Sequence, residues 1–224
     1  MRVFAVCVVL AVAAGTGCSR DAGSSEPVTG DAVEPAAAAD FMRAYTAGVD
    51  SVERPAHARR GASRLQGVDR DFAQGYAEIV RTPLHDIPGF IASGDADALI
   101  RARYAALALD ADTLLSANVL LFVSGWEAVS GAPASARQAQ GLRRQMTANW
   151  VAAGAGADPA ETARQRRILE LVSASITREA QRLEADGDAA ALARFRAGIR
   201  EDFQRQSGND LARFDLGDDG FAAR

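Results

Sequence analysis

The sequence predicts an all-α protein, a bundle of about seven helices joined by short turns. Three observations carry that expectation. Apolar residues recur at three- and four-residue spacing along most of the chain. Alanine is abundant while aromatic residues are only 6%, a balance that favours helix over strand. Glycine, proline and aspartate interrupt the periodic stretches at intervals suited to caps and turns. No alternating run of strand length competes, and no internal repeat of fixed period is present.

Pro35 opens the first expected helix, with Phe41, Ala44, Tyr45 and Ala47 on one side. Residues 50–67 are less regular and set Arg54, Arg59, Arg60 and Arg64 around His57. A second helix is expected over 69–81, where Phe72, Tyr76, Ile79 and Val80 are spaced for burial. Pro83 and Pro88 then enforce a loop through Leu84-His85-Asp86-Ile87 to Gly89. The third helix covers about 96–109, capped by Asp95, with Leu99, Ile100, Tyr104 and Leu107 apolar. The fourth starts near Asp112, a good N-cap. Its stretch Val119-Leu120-Leu121-Phe122-Val123 is apolar on every face, and Trp126 and Val129 extend it. A helix without a polar face is a buried one. Ser116 and Asn118 interrupt it too early for a membrane span, so it forms the centre of the core.

Gly131 and Pro133 end that helix, and the fifth, over 134–153, places Leu142, Met146 and Trp150 at strict i+4 spacing. Asp158-Pro159-Ala160-Glu161 puts a proline at the first helical position and an acid three residues after the cap. The sixth helix then carries Ile168, Leu171, Val172, Ile176, Ala180 and Leu183 as a 3-4 stripe. Gly187 stops it, Asp188 caps the seventh, and Leu192, Phe195, Ile199 and Phe203 form the apolar face there. Leu211, Phe214, Leu216 and Phe221, set among acids and glycines in the tail, are expected to pack back on the bundle.

At 48% hydrophobic and 24% charged, the chain has the composition of a globular protein able to bury a core. All 25 basic residues are arginine. That fits the codon usage of a high-GC genome; the alternative is selection for bidentate anion contacts, which arginine makes better than lysine. The net charge of −4 is opposite to the basic face that nucleic-acid binding needs, so no nucleic-acid partner is expected.

The N-terminus gives the most specific signal. Arg2 supplies a short positive start, Val3 to Ala14 form an apolar run of twelve residues, and Gly15-Thr16-Gly17 leads into Cys18. That order is expected of a secretory signal peptide over 1–17. The run is too short for a membrane-spanning helix, which needs about 20 apolar residues. The small residues before Cys18 resemble the lipobox of bacterial lipoproteins, although Gly15 stands where that signal usually has a branched residue. The resemblance implies acylation of Cys18 (palmitate among the chains) as the membrane anchor. Cys7 leaves with the leader, so the folded domain has no thiol for a disulfide, a metal or nucleophilic attack. Residues 18–36, rich in Ser, Gly, Asp, Glu and Pro, read as a solvated tether, and 37–224 as a single helical domain. Ser19 rather than Asp after the cysteine implies, by the same resemblance, the outer membrane, with the domain facing the periplasm.

Candidate chemistry is sparse. His57 and His85 are the only histidines and lie on no metal-ligating helical spacing, so neither metal nor cofactor is expected. The acids of 210–219 lack the spacing of a calcium loop and read as a solvated acidic tail. The adjacent pair His85-Asp86, in its proline-bounded loop, is the most site-like feature, since rigidly flanked loops carry function and a carboxylate raises imidazole basicity. Loop structure or capping is the alternative. Trp126-Glu127 and Arg143-Arg144-Gln145 fall on facing helices, where Glu127 with Gln138 and Asn149 would line a polar cleft or form salt bridges across the hairpin. Glycoside hydrolysis would need a second carboxylate, and the 134–153 helix holds no acid. The arginines of 54–64 suit either a solvated connector or anionic headgroups near the anchor.

Residues 95–221 resemble a group of exported bacterial helical proteins classified only as a domain of unknown function. The likeness is carried by the central helix ending in Trp126, the turn at Gly131, Leu142-Arg143-Arg144-Gln145 and Arg164-Gln165. Gly187-Asp188 and the closing Leu216 to Gly220-Phe221 complete it. It implies an α-helical fold and assigns no activity or site residue.

The function expected is therefore non-catalytic binding of a protein partner in the envelope, as an assembly factor, inhibitor or immunity protein, with no catalytic residue assigned. The alternatives are an envelope hydrolase using His85 or Glu127, and a carrier of an apolar ligand walled by Phe122, Trp126 and Trp150.

Overall fold

The computed structural model describes residues 67–150 and 159–224. The leader, Cys18, the tether, the expected first helix, the arginine group about His57 and Asp158 lie outside them. The described residues form an all-α bundle of seven helices closed by one small hairpin: α1 (Val68–Ile79), α2 (Ile87–Ala92), α3 (Asp95–Ala106), α4 (Leu114–Ser130), α5 (Ala136–Trp150), α6 (Pro159–Asp186) and α7 (Ala189–Ser207). A single 3-10 turn (Leu211–Arg213) then leads into β1 (Phe214–Gly217) and β2 (Gly220–Ala223). None of these helices is long and apolar enough to cross a membrane.

α4 is the centre because its sequence leaves no side to give to water. Ala117, Val119, Leu120, Phe122 and Val123 are all buried. α6 covers one side along the longest contact in the molecule, α5 and α7 cover others, and the 3-10 turn closes a further part. α1 and α3 also pack on α6, and α2 touches both. The α4–α6 seam is close because its polar residues are small and satisfied internally. The hydroxyls of Ser173 and Ser175 donate to the carbonyls of Leu169 and Leu171, four residues back, at 2.6 and 2.7 Å. The Thr177 hydroxyl reaches Ser124 Oγ at 3.3 Å, and Asn118 Nδ2 donates to Leu114 O at 2.9 Å. Buried hydroxyls and amides bonded in this way avoid the cost of unpaired polar atoms.

The caps are partly where the sequence places them. Asp188 accepts from Ala191 N–H at 2.8 Å and starts α7. Gly131 ends α4 in the left-handed region, at φ 72°. The N-cap of α4 is Thr113 rather than Asp112: its hydroxyl accepts from Ser116 N–H at 3.1 Å. Asp95 lies within the first turn of α3, behind a Gly94 cap at φ 85°.

Two expectations are overturned. The proline-bounded stretch is not loop throughout, because Ile87 to Ala92 is helical with Pro88 in its first turn, where a missing N–H leaves no bond unmade. The tail packs back on the bundle as expected, but it does so as a pair of strands, where no strand was expected. Phe214 to Ala223 is an antiparallel hairpin, with Leu216 opposite Phe221 and Gly217 opposite Gly220 across the Asp218-Asp219 turn. Four-residue strands are marginal alone and need packing. Here Leu216 and Phe221 are buried, and the Phe221 ring meets Phe122 edge-on at 6.5 Å between centroids. Phe203 of α7 meets the same Phe122 at 5.7 Å.

The hairpin sits against α5 at Gly141, where a Cβ would lie 2.1 Å from Asp218 O and 2.9 Å from Gly220 N. Alanine normally improves a helix interior over glycine by about 1 kcal/mol. At this position overpacking against main chain dominates, so Gly141→Ala is expected to lower stability by about 1–3 kcal/mol. Thermal unfolding by circular dichroism checks this; an unchanged or raised Tm would contradict the seating of the hairpin on α5.

Candidate functional site

The segment between α1 and α2 is where the sequence puts its most site-like pair, and its geometry is that of a strap held by two buried carboxylates. At one end Asp202 of α7 accepts from Thr82 N–H at 3.1 Å and from Thr82 Oγ1 at 2.8 Å. Arg205 pairs with the other oxygen of Asp202. At the other end Glu179 of α6 accepts from His85 N–H at 3.1 Å and from Arg182 Nη2 at 2.6 Å. Arg178 adds a third fastening: its Nη1 donates to His85 O at 2.9 Å and Asp86 O at 3.3 Å, while its guanidinium lies 4.5 Å from the centre of the Phe90 ring.

His85 is thus tied down by its backbone, and its side chain is exposed. Asp86 is a cap: held at φ 38°, it accepts from Gly89 N–H at 3.1 Å through Oδ1 and opens α2. Gly89 is required there, since a Cβ would lie 2.2 Å from Asp86 Oδ2. The carboxylate next to the imidazole in sequence is committed to the helix N-terminus.

Glu127 has a different partner from the one its position suggests. Oε1 accepts from Ala134 N–H at 2.9 Å, closing the turn between α4 and α5, and Oε2 pairs with Arg103 of α3. The arginines facing it across the helix hairpin are not involved. Gln138 and Gln145 do not line a cleft with it; both bond the main chain of the C-terminal hairpin. Gln138 Nε2 donates to Leu216 O at 2.5 Å, and Gln145 donates to Phe221 O and accepts from Phe221 N–H, each at 2.9 Å. Of the tail acids, Asp210 is withdrawn from water and paired with Arg200, while Asp215, Asp218 and Asp219 are solvated as expected and lie beside Arg224, Arg137 and Arg144.

Of the aromatic residues expected to wall an apolar ligand, Phe122 is 1% exposed and enclosed by Phe203 and Phe221. Trp126 is buried and donates its indole N–H to Phe214 O at 3.1 Å. The side chain of Trp150, like that of Asn149, is outside the described residues. Gly125, one turn from Phe122, admits the Phe203 ring, whose Cζ would be 2.3 Å from a Cβ. These side chains interdigitate where a ligand would lie.

Sequence reasoning missed a second titratable group, on the α1/α3 side of α6. Arg167 grips Asp69 of α1 with Nε and Nη2, both at 2.7 Å, and Asp97 of α3 with Nη1 at 2.6 Å. The Asp69 bonds, and then those to Asp97, outweigh burial and hold the guanidinium firmly charged. One turn on, Glu170 is 8% exposed, accepts from Tyr104 Oη at 3.1 Å and lies 3.9 Å from Arg166. Burial raises the Glu170 pKa above its usual value, prevailing over the Tyr104 bond and the two arginines that favour the carboxylate. Tyr104, 4% exposed, is raised first by burial and then by Glu170. The available signal was an acid inside the apolar stripe Ile168-Leu169-Leu171-Val172, which must find a partner. Chemically the pair can hold a proton out of water, and it joins α3 to α6. Among the described residues, no cluster of His, Cys, Asp or Glu is placed to hold a metal ion.

The chain matches no protein-family model, no curated protein and no solved structure.

Two buried glutamates give opposite pH signatures. For Glu179, burial acts to raise the pKa, but the Arg182 and His85 N–H bonds prevail and lower it. Its stabilisation is therefore present above the ordinary glutamate value of 4.5 and is lost as pH falls through the lower folded value. Glu179→Gln is expected to lower Tm at neutral pH, with the difference from wild type closing in acid. Glu170 has the reverse sign: its contribution is full below 4.5 and is lost as pH rises through the raised folded value. Glu170→Gln is expected to match or exceed wild-type Tm at neutral pH, and Tm measured across pH for both variants checks the assignment.

Proposed function

We propose that this protein is a lipid-anchored helical protein of the bacterial envelope, held by acylated Cys18 and facing the periplasm from the outer membrane. Its work is non-catalytic binding of another protein, as an assembly factor, inhibitor or immunity protein. The leader, Cys18 and Ser19 support the location.

The single observation that supports the non-catalytic reading is the commitment of the two carboxylates, Glu127 and Asp86, that such chemistry would use. Glu127 has one oxygen on Ala134 N–H and the other on Arg103. Asp86 caps a helix through Oδ1, while His85 is held through its backbone alone and its imidazole is exposed. A general acid or base needs a free atom within about 3 Å of a reacting group, and these carboxylates are already engaged. The apolar-carrier alternative meets a core in which Phe122 touches Phe203 and Phe221.

In-cell crosslinking of the tagged full-length protein, followed by mass spectrometry, tests the partner. The absence of lysine rules out amine-directed reagents, so a photo-crosslinking residue on the exposed faces is required. A stoichiometric protein partner is expected; recovery of the protein alone after efficient crosslinking would overturn the reading. Cys18→Ala is expected to move the protein from the membrane fraction to the soluble fraction and to abolish labelling by a palmitate analogue. His85→Ala is expected to leave folding and partner capture unchanged, and loss of function in a folded His85→Ala variant would favour the hydrolase instead.

A further inference from the structure

Gln138, Gly141 and Gln145 fall at i, i+3 and i+7 on one stripe of α5. The Gln145 side-chain amide pairs with both main-chain atoms of Phe221, as a neighbouring strand would. Gln138 holds Leu216 O, Trp126 of α4 holds Phe214 O, and Arg144 Nη2 donates to Asp218 O at 2.8 Å. Gly141 between them lets a backbone lie flat on the helix. These bonds recognise an extended main chain whatever its sequence, the chemistry by which a strand is added to a surface. Selectivity comes from two further features. The Phe221 ring enters beside Phe122, and Arg137 and Arg144 face the two aspartates of the turn at 2.9 and 3.9 Å.

We propose that this stripe of α5, with Trp126, is a docking groove for an extended, acidic, aromatic-bearing segment of a partner protein, and that the chain's own C-terminal hairpin occupies it as a displaceable strap. The occupant seated there defines what the groove accepts. The turn acids that fasten it are exposed, so those ion pairs are individually weak. The strap leaves α7 at Gly208, in the left-handed region at φ 72°. This rests on the protein-binding reading above and names the surface that performs it.

The test uses the full chain and, as probe, a synthetic peptide of residues 209–224 carrying a fluorophore. Asp218→Asn/Asp219→Asn weakens the resident strap without touching the groove. Two exposed ion pairs together change such an equilibrium about threefold to tenfold, so the probe is expected to bind the double variant about threefold to tenfold more tightly than wild type, by fluorescence anisotropy. In hydrogen exchange, the amides of Phe221 and Ala222 are expected to open before those of α4 and α6, and faster in the variant. Three results would overturn the proposal: hairpin amides that open only with global unfolding, no saturable probe binding to the folded variant, or loss of helical circular dichroism on these two surface substitutions. A partner captured in cells without any hairpin exchange would overturn this groove alone and leave the protein-binding reading standing. Exchange of the probe with no captured partner would do the reverse.

Discussion

A helix with no polar face has to be covered on every side, and that requirement on α4 organises the rest of the molecule. Burying a large apolar side chain contributes about 1.5–3 kcal/mol, and α4 offers Val119, Leu120, Phe122 and Val123 in sequence. No single neighbour can cover them all. α6 takes the long seam because Ser173, Ala174 and Thr177 are small enough to bring the two helices close, while α5, α7 and the 3-10 turn take the remaining sides. The last exposed edge, at Phe122, is closed by Phe203 and by a strand residue, Phe221. The hairpin exists because that edge needs a cover.

Around this apolar centre, charged side chains work mostly as fasteners between distant segments. Arg167 draws α1 and α3 to α6, Glu179 and Asp202 hold the 80–86 stretch across α6 and α7, and Glu127 locks a turn while reaching α3. Most accept or donate at more than one atom. A carboxylate taken from water is stabilised only when several donors replace the lost hydration, and the arginine-only composition supplies forked donors for it.

The long elements were legible in the sequence because their signals are local. The apolar stripe of α6, the all-apolar run of α4 and the Gly187-Asp188 stop-and-cap are set by spacing and backbone chemistry alone, and the structure has them there. α2 was not, because Pro88 reads as a breaker unless Asp86 is recognised as its cap. The hairpin carries only a faint local signal, alternating Phe214 and Leu216 before the Gly217-Asp218-Asp219-Gly220 turn, and each strand is too short to stand out. Contacts were the least legible. Glu127 meets Arg103, 24 residues earlier, rather than the nearer arginines of α5, and Gln145 meets Phe221, 76 residues later. Such pairings depend on how helices are laid side by side, which periodicity does not encode.

The position of the hairpin has a temporal consequence. α4 is made in the middle of the chain, yet the carbonyl that binds its Trp126 indole arrives 88 residues later. Any process that delivers this polypeptide from its N-terminus, whether synthesis on a ribosome or threading through a translocase, releases the greasiest helix well before its final cover. Until β2 emerges, Phe122 lacks one of its walls.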